Sequence, residues 1–221
     1  MKKLITLITV ISLTAISYAS ADVRAGVSVA WTSLDTSGSE KLKDAETTAT
    51  GSVSNDVMIP AIFVEVGSAD RGLYIGVDYT DVASLGQKSR DDSASVAGLS
   101  RGGVNTASAD VDSLTSIYAI KTLGTSGLFV KLGYAQADVV TKENLTSGST
   151  YGNASVSGII VGAGLHKEDD SGYFFRAAAE YIDYDSISLT GTQAGGTSTS
   201  FNTITADVDS TAFKISVGKT F

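Results

Sequence analysis

The chain holds one imidazole, His166, and no thiol. Thiolate zinc sites, iron–sulfur ligation, disulfide scaffolds, cysteine nucleophiles and every site built on several histidines are thereby excluded. A serine hydrolase needs a base beside its nucleophile. The residue two places on from His166, which shares its face of an extended strand, is Glu168 and not a serine. The expectation is a solvated histidine beside the acidic turn Glu168-Asp169-Asp170, and no catalytic residue. The carboxylate pairs Asp110/Asp112, Asp183/Asp185 and Asp207/Asp209 could hold a divalent cation. They read more simply as solvated charges, so neither metal nor cofactor is expected. A third group is more informative. Asp78, Lys131, Arg176, Glu180 and Lys214 stand singly among apolar and small residues, each at the alternate positions of an apolar run. That spacing carries every one of them to the face opposite its apolar neighbours, where an ionised group must find a partner or water.

The elements that position these charges are strands. Val23, Ala25, Val27, Val29 and Trp31 share one face of a run that starts at Asp22. Leu73, Ile75, Val77 and Tyr79 repeat the pattern against Tyr74, Gly76, Asp78 and Thr80. Leu128, Val130, Leu132 and Tyr134 do so against Phe129, Lys131, Gly133 and Ala135, and Tyr173, Phe175, Ala177, Ala179 and Tyr181 against Arg176 and Glu180. Phe213, Ile215 and Val217 stand against Lys214, Ser216 and Gly218. Alternation sustained over such lengths marks half-buried strands. Three less regular runs complete a set of eight: Met58 to Val66, weakened early by Pro60; Leu114 to Thr122, read with Leu114, Tyr118 and Ile120 outward and Lys121 inward; and Val156 to Lys167. Glu65 and Lys121 fall on the charged faces towards the short-link end.

At 221 residues, with 18% charged and 43% hydrophobic residues, the chain is long enough for one folded domain and too apolar for a disordered one. Residues 1–21 read as an export signal: a basic Met1-Lys2-Lys3, an apolar run from Leu4 to Ile16 and the small-residue site Ala19-Ser20-Ala21. Its removal takes the basic residues from 16 to 14 against 24 acidic ones, a net charge of −10, which disfavours nucleic acid as a partner. Residues 22–221 remain as the folded unit.

The links between strands alternate in length. Short ones sit at 67–71, 123–127 and 168–172; long ones, rich in Ser, Thr, Gly and Asp, at about 34–55, 83–109, 141–153 and 185–206. Short turns at one end and long loops at the other is the layout of a barrel that crosses a membrane, apolar outside and polar within. The aromatic residues agree. Trp31, Tyr79, Tyr134 and Tyr181 fall towards the long loops, and Tyr173, Phe175 and Phe221 towards the short turns, as two interfacial girdles require. A ten-stranded barrel follows instead if 83–109 folds back as a hairpin, since Val96 to Val104 is mildly apolar. One echo runs through the chain: Ala-Asp-Val-Asp-Ser occurs at 109–113 and 206–210, each after a strand with similar ends.

With its leader, its eight strands, Leu-Phe-Val-Lys-Leu-Gly-Tyr-Ala at 128–135, Phe-Arg-Ala-Ala-Ala-Glu-Tyr at 175–181 and Phe221, the chain resembles the small Gram-negative outer-membrane β-barrels of the OmpA-like, opacity-protein type. The resemblance implies an all-β, antiparallel up-and-down barrel in the outer membrane, a monomer in contact with lipid and lipopolysaccharide. It also implies a last strand, with Phe213, Ile215, Val217 and Phe221 on one face, read by the barrel-insertion machinery. Lys219 stands where the family usually has an aromatic residue. Eight strands enclose room for side chains or one small ligand. The inward charges are therefore expected to form an ion-pair network, with Arg176 and Lys131 meeting Glu180 or Asp78. Such a network makes either a closed structural plug beneath recognition loops or the gate of a narrow channel.

Overall fold

A computed structural model describes residues 21–41, 48–92, 103–145, 150–192 and 203–221. The expected export signal, save Ala21, and Val96 fall outside them. The strands are β1 (Asp22–Lys41), β2 (Thr48–Ser68), β3 (Leu73–Thr80), β4 (Ala83–Asp92), β5 (Gly103–Leu123), β6 (Leu128–Asn144), β7 (Ala154–Glu168), β8 (Tyr173–Tyr184), β9 (Ile187–Thr190) and β10 (Thr203–Thr220). All pairings are antiparallel between neighbours, and β1 pairs with β10 from Arg24↔Thr220 to Lys41↔Thr203, closing the ring. The ring has eight staves, because β4 continues β3 along β5 and β9 continues β8 along β10. The segment 83–109 does form a hairpin, β4 with β5, but it lengthens two staves and adds none.

The long links are where sequence and structure differ. Much of 34–55 and 83–109 is strand, as are the first residues of 141–153, up to Asn144. β1 has 20 residues and β2 and β5 have 21 each, about twice the ~10 that a tilted strand needs to cross a bilayer. Above the membrane neither face of these strands meets lipid, so the apolar alternation that betrays a strand disappears. Ladder hydrogen bonds and the β-branched Thr and Val residues suffice to keep the backbone extended.

The break between β3 and β4 has a visible cause in β2. Its ladder with β3 covers Ile62↔Tyr79 to Ser68↔Leu73 and stops there. The Thr80 hydroxyl donates to the Pro60 carbonyl at 2.7 Å, so that carbonyl faces β3. A residue's N–H points to the same side as its C=O in an antiparallel strand, and Pro60 has no N–H to offer. Higher up, among the described residues, β4 pairs with β5 and not with β2. The two halves of the ring match here. β3 ends before a break at 81–82 and β8 before one at 185–186. Gly72 and Gly172, in the left-handed region at φ 56° and 82°, enter the two strands and accept the amides of Thr122 and Thr220. The repeated Ala-Asp-Val-Asp-Ser lies on the strand paired with each broken stave.

The outer face is apolar between two aromatic levels. Val27, Ile62, Ile75, Leu132, Ile159 and Val217 point outward and are exposed, as are Trp31, Tyr134 and Tyr181 at one level and Tyr173, Phe175 and Phe221 at the other. Trp31 stacks on Phe213 at 6.2 Å. Tyr79 is half-buried and donates to Asp81 at 3.0 Å. From Tyr173 to Tyr181 the strand rises about 26 Å, or roughly 20 Å along the axis at the usual tilt, close to the apolar band of such barrels.

Candidate functional site

The inner face carries the charge, in three tiers that each tie strands not adjacent in the ring. At the short-turn mouth, Arg24 on β1 donates through Nη2 to Glu168 Oε2 on β7 at 2.9 Å and through Nε to Thr220 at 3.3 Å. Its guanidinium lies 3.6 Å over the Tyr74 ring, whose hydroxyl donates to Asp22 at 3.1 Å. One level in, Arg176 on β8 makes a bidentate pair with Glu65 on β2, at 2.6 and 2.9 Å, and the Tyr118 hydroxyl donates to the same carboxylate at 3.0 Å. Glu65 is fully buried. The rings of Phe63, Phe129 and Phe174 surround the guanidinium at 5.3–5.8 Å. Such rings offset part of the desolvation of a cation whose Nε has no hydrogen-bond partner.

The third tier is a quartet. Lys131 on β6 donates to Glu180 at 2.9 Å and lies 3.7 Å from Asp78; Lys214 on β10 donates to Asp78 at 2.7 Å and lies 3.9 Å from Glu180. Two cations thus share two anions. The Lys131 ammonium also sits 4.0 Å over the Tyr118 ring, which links this tier to the one below. Between the two tiers, among Phe63, Lys131, Arg176, Glu180, Lys214 and Ser216, a cavity of about 10 Å³ remains, room for a single water. Beyond the quartet the inner face turns apolar, with Ala83, Val111, Ala137 and Val156 packed against Leu114 and Tyr184.

The inward aromatic residues fit because glycine lies beside them. A Cβ on Gly26 would meet the Phe63 ring at 2.6 Å, on Gly76 the Tyr118 ring at 2.6 Å, on Gly164 the Phe129 ring at 2.8 Å and on Gly218 the Phe174 ring at 2.5 Å. Each ring lies across a neighbouring strand's glycine, which supports both the ring and the sheet's curvature.

Asp78, Lys131, Glu180 and Lys214 come together as one network. Arg176 is inward too, but its partner is Glu65 and neither Glu180 nor Asp78. The orientation expected for 114–122 is reversed: Tyr118 and Ile120 are buried inside, Ile117 faces out, and Lys121 is exposed and donates to the Arg71 carbonyl at 2.5 Å. The reason lies in the sequence, because Ile117, Tyr118, Ala119 and Ile120 are apolar at both parities and a register irregularity between Val111 and Ser113 shifts the phase upstream. His166 differs as well. It is half-buried, packs on Phe174 at 5.0 Å and shares Glu168 Oε2 with Arg24. Arg24 joins the inward set, as its place between the outward Val23 and Ala25 requires.

At the opposite end Asp110 is paired with Lys142 at 2.6 Å, which holds its carboxyl below the usual range. Asp185 accepts from Ser157, and Asp207 from Ser186. Among the described residues no cluster of His, Cys, Asp and Glu is arranged to hold a metal ion.

A closed antiparallel ring with an apolar outer belt, aromatic rims and a charged, ion-paired interior is a membrane-spanning β-barrel of the outer-membrane type. The comparison with solved structures gives the same fold. OprG, an outer membrane protein of Pseudomonas aeruginosa, superposes with a TM-score of 0.59 at 14% identity over 91% of this chain and 96% of its own. OmpT, an outer membrane protease of Escherichia coli, superposes with a TM-score of 0.51 at 9% identity over 90% of this chain and 97% of its own. No protein-family model matches the chain, and no curated protein matches it significantly.

Proposed function

We propose that the protein is an integral outer-membrane barrel, exported by residues 1–21, that serves as a surface-exposed envelope protein with a closed lumen and long hairpins available for recognition. The carrying observation is the stack of cross-lumen ion pairs, Arg24–Glu168, Arg176–Glu65 and Lys131–Glu180 with Lys214–Asp78, around a residual space for one water. Lipid and lipopolysaccharide contact the belt from Trp31 and Tyr181 down to Phe175 and Phe221. The outward row Phe213, Ile215, Val217 and Phe221 on β10 presents the insertion machinery with its signal. The barrel works as a monomer and carries no cofactor. No enzymatic role is proposed, since the partner His166 finds is Glu168.

A narrow gated channel is the second reading. One observation favours it: each lysine of the quartet lies within 4.0 Å of both carboxylates, so the pairs can exchange without a charge ever being left alone. Conductance in a planar bilayer separates the two. A folded barrel, verified by heat-dependent gel mobility, stays silent if the lumen is closed. Discrete openings proportional to salt would establish the channel, with Lys131 and Glu180 the first residues to replace.

A further inference from the structure

We propose that His166 is an acid-sensitive release for the strap that Arg24 and Glu168 stretch across the short-turn mouth. The strap joins β1 to β7, which are separated in the ring by β8 and β10. Glu168 Oε2 is held twice, by Arg24 Nη2 at 2.9 Å and by His166 Nε2 at 3.1 Å. The other ring nitrogen, Nδ1, is buried without a partner. A neutral imidazole with its proton on Nε2 suits this setting. It donates to Glu168 and leaves on Nδ1 a lone pair, whose burial is far less costly than that of an unpaired N–H.

The guanidinium groups around the ring are already paired. On its own strand His166 faces Glu168; β1 presents Arg24, and β8 presents Arg176, its register partner. Glu65 on β2 holds Arg176, and Tyr74 on β3 lies under Arg24 with its hydroxyl on Asp22. The turn that leads into β6 offers the Gly127 carbonyl to the His166 amide. The Phe174 ring is the common floor, 5.0 Å from the imidazole, 5.7 Å from the Arg24 guanidinium and 5.4 Å from that of Arg176. Each guanidinium thus has its own carboxylate, and Asp22 stands beyond Tyr74 as a third. A proton on His166 adds a third cation around one phenyl ring and a second donor, on Nδ1, with nothing to accept it. The mouth then has two ways to relax: Glu168 leaves Arg24 for the imidazolium, or the imidazolium swings to water and Glu168 loses one of its holders. Either loosens the strap.

The sign follows from linkage. The unfolded chain takes up a proton on His166 that the closed mouth resists, so this site's contribution to stability is present at neutral pH and is lost as pH falls. Because the chain has one histidine, nitrogen NMR of a histidine-labelled sample of the folded protein extracted from membranes shows the two ring nitrogens of a single imidazole. At about pH 7.5 it should show the Nε2–H tautomer, and it should stay neutral on acidification past about 6.5, where a free imidazole is half-protonated. Replacing Arg24→Met removes the competing cation from Glu168, and the imidazole should then titrate at higher pH. The unfolding rate in detergent should rise several-fold between about pH 7.5 and about pH 5.5 in the native protein and stay level in His166→Gln, whose amide keeps the bond to Glu168 without titrating. An Nδ1–H tautomer, a midpoint that Arg24→Met leaves in place, or the same acid response in His166→Gln would each overturn the proposal.

Discussion

Two ion pairs in this barrel have nearly the same contact distance and opposite surroundings. Arg176 and Glu65 meet at 2.6 Å with side chains 7% and 0% exposed; Lys142 and Asp110 meet at 2.6 Å with side chains 63% and 24% exposed. Facing water, the outer pair gains little from its Coulomb attraction, which salt screens further, so it scarcely alters stability. Inside, both charges are desolvated, and each becomes indispensable because the other is present. The inner pair defines which strands face each other across the lumen, whereas the outer pair decorates a wall that its ladder already holds. Contact distance alone says nothing about this difference; burial decides it.

The largest effect that exposes the contrast is the loss of one inner partner. Glu65→Ala leaves the Arg176 guanidinium buried and unpaired, and chemical unfolding of the folded barrel should show a loss of about 3–5 kcal/mol. Replacing both, Glu65→Leu with Arg176→Met, should recover most of that loss, because the desolvation of two charges disappears together with their attraction. A double variant no more stable than Glu65→Ala would mean that the pair contributes more than mutual neutralisation. Next in size is Tyr118→Phe, which removes a hydrogen bond to a buried carboxylate while the ring keeps its seat beside Gly76. The same measurement should register about 1.5–3 kcal/mol. Smallest is Lys142→Met. It should leave the unfolding midpoint in place, while carboxylate NMR shows Asp110 titrating nearer the ordinary range once its ammonium is gone. The sign is that of a lowered acid: whatever Lys142 adds is present above the ordinary carboxylate range and is lost as pH falls.

The same contrast explains what could be read in the sequence. Strands such as Leu128–Tyr134 and Tyr173–Tyr181 are legible because one face meets lipid and is apolar throughout, while the other carries the charges of the lumen among Phe129, Phe174 and Ala178. The inward set Asp78, Lys131, Glu180 and Lys214 is legible for the same reason. Where lipid is absent the signal fades: Ser37, Ser39, Ser52 and Ser54 lie in strands whose faces both meet polar surroundings. Where both faces are apolar it becomes ambiguous, and Tyr118 is assigned to the wrong side until the register is known. Partner choice is illegible in principle, because pairing across a lumen depends on ring order and shear. Arg176 and Glu180 share a strand face, yet they bind carboxylate and ammonium groups from β2 and β6. The inward glycines look like flexibility in the sequence and are seats for rings in the structure.

In the proposed closed barrel, side chains fill the lumen from the mouth to the quartet. The chain has no cysteine, so a single introduced thiol reports unambiguously on access. Ser216→Cys places one against the cavity between the tiers, where the native residue is buried, and Ser37→Cys places one on the exposed part of β1. In folded protein the thiol at 37 should react with a charged, membrane-impermeant maleimide at once, and the thiol at 216 only after unfolding. Rapid labelling at 216 in a barrel that keeps its folded gel mobility would rule out the closed lumen and establish an open path through it.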